Sequence, residues 1–208
     1  MSEDAFDDNK VTEDKIDTEE KIETTDKPKE KGFWAESLEA LVIAAILATI
    51  IRVFLYQPFY IPSGSMEPNL KPGDRIIVNK FLYRFTEPKR GDVMVFKYPK
   101  DPDRDFIKRV IGLPGDVVEL RDSQLYINNQ RVDEPYLPKG LVVPDFGPVT
   151  VPKDSYYMFG DNRNNSEDSR VWGEMPKENI RGKASLLYWP LTRFGLVKDL
   201  MDFQKDGK

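Results

Sequence analysis

From Leu38 to Tyr56 the chain reads LEALVIAAILATIIRVFLY, and no other stretch constrains the fold as much. Its uncharged centre, Ala40–Ile51, is twelve residues long, a length that also suits a buried core helix. The flanks tip the reading toward a membrane. Trp34 and Tyr56 sit where interface aromatics belong, Glu39 lies near one end, and Arg52 can snorkel toward the other. A single transmembrane helix is therefore expected at 37–57. Lys27, Lys29 and Lys31 precede it, whereas Arg52 is the only basic residue in the eighteen that follow Ile51. The positive-inside tendency places the N-terminus in the cytoplasm and everything after Tyr56 outside it. A cleaved signal peptide fits less well, because the preceding tail is long and acidic and no small-x-small site closes the run.

Residues 1–32 carry twelve acidic and six basic side chains, so the remainder of this chain of net charge −5 sums to about +1. Three tandem hexads (TEDKID, TEEKIE, TTDKPK) over 12–29 hold almost nothing large and apolar. Such a segment has too little to bury and is expected to be a disordered cytoplasmic tail. The nearly neutral body carries no electrostatic footprint for nucleic acid.

Beyond Gln57 the sequence breaks into short β-branched and aromatic runs: RIIVN (75–79), DVMVF (92–96), FIKRVI (106–111), VVEL (117–120), QLYI (124–127), YYMF (156–159) and ASLLYW (184–189). Turn signals such as Lys71-Pro-Gly-Asp74 and Leu113-Pro-Gly-Asp116 punctuate them. A mainly β, antiparallel catalytic region is expected over 58–198. Asn128-Asn129 reads as a hairpin tip of a small second β subdomain at 116–150, and 199–208 as a C-terminal tail.

The chain contains neither histidine nor cysteine. Ser-His-Asp catalysis, thiol nucleophiles and His- or Cys-ligated metals are thereby excluded, and a hydrolase must draw its base from Lys, Asp, Glu or Tyr. Three segments carry candidate chemistry. Ile61–Leu70 (IPSGSMEPNL) places two serines around a glycine directly after the apolar run. By itself this is an ordinary turn; beside a base and an oxyanion donor it is a nucleophile loop. In Asp105–Asp116 (DFIKRVIGLPGD), strand alternation puts Lys108 on one face with Phe106 and Val110. Exposed, that lysine is an edge-strand charge; buried, its pKa falls and it can deprotonate a serine. Gly160–Gly173 (GDNRNNSEDSRVWG) reads either as a polar loop or as a set of supporting groups, with Asp168 and Arg170 able to pair and Ser166 able to bond a neutral amine.

Taken in order, the anchor, PSGSMEPNL, KPGDRIIVNK, KRGDVMVFKYP with DFIKRVIGLPGD, and GDNRNNSEDSRVWG resemble the bacterial type I signal peptidases, or leader peptidases, from about Leu38 to Val197. The resemblance implies a membrane-bound serine/lysine endopeptidase that removes signal peptides from exported preproteins. By it, Ser65 is the nucleophile, Lys108 the general base, Ser63 an oxyanion donor and Ser166 the group orienting the lysine. Asp168 and Arg170 are structural, and Met66 and Leu70 line substrate pockets. It implies preprotein signal peptides and a lipid bilayer as partners, with no cofactor, metal or nucleic acid, at the plasma membrane or alternatively the thylakoid. Asn164 departs from the Asp common in the last motif but touches none of these roles. A self-cleaving repressor-type serine/lysine protease shares the dyad, yet residues 1–37 hold no helix-turn-helix pattern. A tethered β domain that only binds a partner is the alternative from another class.

Overall fold

The apolar run forms helix α1, Phe33–Ile50, in a computed structural model that describes residues 33–50, 55–197 and 202–203. Trp34 and the side chains from Glu36 to Thr49 are exposed along it. Among the described residues no helix is long and apolar enough to cross a membrane. The span expected at 37–57 also differs in its limits: α1 starts at Phe33, residues 51–54 lie outside the described residues, and Tyr56 and Gln57 belong to a strand. Cross-strand pairing of Gln57 with Val78 and the proline at 58 account for that extended backbone. The tail expected to be disordered, 1–32, lies outside the described residues. The chain divides into two units between Leu41 and Val42, inside α1.

The strands, in chain order, are β1 (Tyr56–Tyr60), β2 (Arg75–Asn79), β3 (Val93–Tyr98), β4 (Asp101–Gly112), β5 (Val117–Arg121), β6 (Gln124–Ile127), β7 (Gln130–Asp133), β8 (Phe146–Thr150), β9 (Ser155–Phe159), β10 (Met175–Pro176), β11 (Ile180–Trp189), β12 (Gly195–Leu196) and β13 (Asp202–Phe203). A one-turn helix α2, Ser169–Trp172, lies between β9 and β10. Every strand pairing is antiparallel. One sheet runs β1-β2-β11-β3-β4-β9-β10 with β12 added beside β11, and the other runs β13-β7-β6-β5-β8.

The sequence VMVFKY of β3 is apolar on both faces because both are covered. Val93 and Val95 point into one core with Ile76, Val78 and Leu187, while Met94, Phe96 and Tyr98 point into another with Val110, Met158 and Trp172. Each such fully buried side chain stabilises the fold by roughly 1.5–3 kcal/mol. A third core lies where the two sheets meet, joining Ile111 and Phe159 to Val118, Leu120 and Ile127. Gly112 permits this junction, since a Cβ there would lie 2.6 Å from Val118 and 2.7 Å from Val151. The hairpin tip expected at Asn128-Asn129 joins β6 to β7 with φ of 53° and 64°, the left-handed pair a two-residue turn requires. Part of the segment expected as a C-terminal tail is β13, which pairs with β7.

Candidate active site

Ser65 sits in a single 3-10 turn, Gly64–Met66, between β1 and β2. The turn is held from outside itself. Asn162 donates its backbone N–H to the Ser65 carbonyl at 3.0 Å and its side-chain amide to the Gly64 carbonyl at 3.1 Å. Gly160 makes this approach possible, because a Cβ on it would stand 2.5 Å from the Ser65 carbonyl oxygen. Pairing of Arg109 with Phe159 puts Gly160–Asn162 beside Lys108.

Lys108 lies in the buried half of β4, opposite Met94 on β3. It is 4% exposed, and its Nζ lies 2.8 Å from Ser65 Oγ and 3.1 Å from the Ile107 carbonyl oxygen. Phe106, on the same face as expected, sits with its ring centroid 5.1 Å from the amine. Burial pushes the Lys108 pKa down to about 8, against the opposing pull of the Asp168, Glu167 and Asp161 carboxylates. The two residues border one cleft of about 490 Å³, together with Pro62, Ser63, Phe106 and Ile107. Ser63 Oγ is 3.5 Å from Ser65 Oγ, longer than a formed hydroxyl–hydroxyl bond of about 2.7–2.8 Å.

The last motif folds onto this site from behind. Asp168 is fully buried and caps α2; it accepts from Arg170 Nε at 2.9 Å and Nη2 at 2.8 Å, and from the Gly160 N–H at 3.0 Å. The ion pair between Asp168 and Arg170 thus also fixes the strand end next to the Ser65 turn. Ser166 Oγ is buried against Gly160 and has no hydrogen-bond partner among the described residues. The bond from Ser166 to Lys108 expected from the resemblance is not formed in this arrangement; the amine is engaged by Ser65 and Ile107.

Met66 and Leu70 are placed differently from the expectation. Both are buried in the core with Ile76 and Val78, and neither borders the cleft of Ser65 and Lys108. The 3-10 turn accounts for this: it presents Ser65 to the cleft and turns Met66 inward, where its carbonyl accepts the Leu70 N–H at 2.9 Å. Leu70 instead borders a separate cavity of about 270 Å³ with Arg109 and Tyr136. Phe106 and Ile107 supply the apolar wall of the cleft that Ser65 and Lys108 border.

Sequence reasoning missed a buried network on the other side of the turn. Arg109 donates through Nε and Nη2 to Asp161 at 2.8 and 2.7 Å, and through Nη1 to the Gly91 carbonyl. Asn69 links its own loop to Asp161 at 2.8 Å and to the Tyr136 carbonyl at 3.0 Å. Arg163 pairs with Glu134, and Tyr136 lies under the Arg109 guanidinium at 4.1 Å. The adjacent basic pair Lys108-Arg109 and the acidic Asp161 were visible, but only folding shows that they divide between two jobs.

Comparison with known proteins identifies the family. The model of the family described as signal peptidase, peptidase S26, matches residues 34–189. A probable signal peptidase I-2 of Synechocystis is 44% identical, with 84% of each chain covered. A signal peptidase I of Leptolyngbya laminosa is 41% identical over 81% of this chain and 86% of its own. One from Bacillus amyloliquefaciens is 38% identical over 83% and 97% respectively. A serine and a buried lysine in contact within a β scaffold, in a chain matched this far along its length, place it in a family: this protein belongs to the signal peptidases of peptidase family S26.

Proposed function

We propose that this chain is a membrane-bound serine endopeptidase that removes N-terminal signal peptides from exported preproteins, with Ser65 as nucleophile and Lys108 as general base. The observation that carries the mechanism is the 2.8 Å contact of Lys108 Nζ with Ser65 Oγ at a lysine whose pKa is pushed down to about 8. At pH 7 such an amine is neutral in roughly one molecule in ten, against fewer than one in a thousand for an ordinary lysine. Neutral Lys108 takes the Oγ proton as the oxygen attacks the scissile carbonyl. The tetrahedral oxyanion is met by the Ser65 N–H and the Ser63 hydroxyl, which is not committed to Ser65 at 3.5 Å. Lys108 ammonium then protonates the leaving amine, leaving an acyl-enzyme, and the neutral amine activates a water for its hydrolysis. Ser166, whose buried hydroxyl has no partner among the described residues, is assigned to steady the amine once substrate fills the cleft. Small residues before the scissile bond are favoured. The apolar wall of Phe106 and Ile107 stands in for the pocket first assigned to Met66 and Leu70.

Membrane attachment is supported by the apolar, exposed α1 and by a row across the sheet, in which Tyr60 and Trp189 both pair with Arg75 and all three are exposed. Aromatic and cationic side chains of this kind favour the bilayer interface. The N-terminus is then cytoplasmic and the β body extracytoplasmic, at the plasma membrane or in the thylakoid.

The test is cleavage of one preprotein in detergent and sequencing of the new N-terminus, together with a serine-reactive probe applied to wild type and Lys108→Ala. Cleavage after small residues, and labelling of Ser65 lost with the lysine, are expected. Labelling that survives Lys108→Ala would remove lysine from the mechanism, and uncut preprotein would leave a domain that only binds.

A further inference from the structure

A second built pocket lies away from the catalytic cleft. It is a cavity of about 300 Å³ bordered by four cations, Lys80, Arg84, Lys177 and Arg181, and by no carboxylate. Its framework is specific. Asn79 Oδ1 accepts the N–H groups of Phe81 and Leu82 at 2.9 and 3.0 Å, which sets the 3-10 turn Leu82–Arg84 and fixes where Lys80 and Arg84 project. A Cβ on Gly182 would stand 2.4 Å from the Asn79 carbonyl oxygen, so only glycine lets β11 bring Arg181 this close to Lys80. Tyr83, bonded to Asp92 at 2.8 Å, also borders the cavity. The Arg84 side chain has no ion-pair or hydrogen-bond partner among the described residues. Among the described residues Lys177 and Arg181 pair with Glu87 and Asp105 in solvent-accessible contacts, which an incoming anion can replace.

We propose that this pocket holds the phosphate headgroup of an anionic membrane lipid. Two observations favour a lipid over a soluble phosphate. Phe81 and Phe85 flank the same turn, lie 4.6 Å apart and are exposed, giving an aromatic rim beside the cations. The Lys80 N–H donates to the Leu55 carbonyl at 2.9 Å, so the pocket adjoins the start of the β body, only five residues of chain from Ile50 of α1 and hence within about 18 Å of it. The inference rests on the membrane-bound reading and adds to it a lipid class. Removing one cation near a bilayer surface weakens anionic-lipid binding about five-fold.

Full-length protein in nonionic micelles is titrated with phosphatidylglycerol, phosphatidylcholine or soluble glycerol 3-phosphate, and retained ligand is read by native mass spectrometry. Phosphatidylglycerol is expected to bind best, with about five-fold loss in Arg84→Gln and again in Lys177→Gln. Both side chains are exposed, and unchanged cleavage of a soluble peptide shows that the variants are folded. Equal phosphatidylglycerol retention in wild type and variants overturns the proposal. So does glycerol 3-phosphate binding as tightly as the lipid, which marks a soluble-anion site. Alkaline extraction of the same protein from phosphatidylcholine vesicles tests attachment separately. Release overturns the anchored reading even where phosphatidylglycerol is selected, and retention without selection overturns only the pocket.

Discussion

Lys108 and Arg109 are consecutive on β4, both almost fully buried, and they meet opposite fates. On the cleft side, Lys108 has a hydroxyl and a carbonyl for company, and its pKa is lowered to about 8. On the network side, Arg109 has a bidentate carboxylate, a carbonyl and an aromatic face. The same loop reaches both sides, through Ser65 to Lys108 and through Asn69 to the Asp161 that holds Arg109. Burial with a full set of charged partners keeps a cation charged, whereas burial without them lowers its pKa. Alternation along one strand is enough to separate the two.

The largest effect is expected at Lys108. Lys108→Met should lower peptide cleavage about 10⁴-fold or more while leaving the fold intact, because it removes chemistry and keeps the volume. Lys108→Arg should be equally inactive, since guanidinium stays protonated. A cleavage assay with melting curves checks both; an active Lys108→Arg would end the distinction between the two sides. The same change at the neighbouring position should do the reverse. Arg109→Met strands Asp161 in the interior, and a loss of about 3–5 kcal/mol is expected in urea denaturation. Much of it should return in Arg109→Met/Asp161→Leu, which removes the stranded charge.

Ser63→Ala sharpens the cleft side alone. One missing oxyanion donor should cost roughly 2.7–4 kcal/mol, read as kcat falling about 10²–10³-fold with KM little changed. A raised KM at constant kcat would make Ser63 a binding group.

The gentlest perturbation is pH, which changes no residue. The unfolded chain keeps the Lys108 proton up to the ordinary value of 10.5, while the folded chain loses it near 8. Between those values the unfolded state binds more protons, so stability rises with pH across that window. The gain is about 3 kcal/mol in all and should be absent from Lys108→Met. Taking the difference between wild type and variant cancels the buried tyrosines, whose raised pKa values act in the opposite sense above pH 10. Peptide cleavage should rise over the lower part of this range, with an apparent midpoint near 8. A flat difference curve would put Lys108 in the same class as Arg109.

Local chemistry made much of this legible in the amino acids alone. QLYI, RIIVN and the turn at Asn128-Asn129 are written in side-chain branching and backbone preference, which act over a few residues, and they appear as β6, β2 and the hairpin tip. The lack of histidine and cysteine left Lys, Asp, Glu or Tyr for a base, and period-two alternation put Lys108 with Phe106. Met66 and Leu70 could not be placed that way: whether a side chain faces cleft or core depends on a 3-10 turn clamped by Asn162, ninety-odd residues further along the chain. Nor could β1, because YQPFY becomes a strand only through pairing with β2. Arg109 and Asp161 were two charges in separate motifs until β9 laid one against the other. Desolvation and hydrogen-bond partnership depend on what arrives from distant parts of the chain, so tertiary structure alone decided which buried cation stands against a serine hydroxyl and which is locked to a carboxylate.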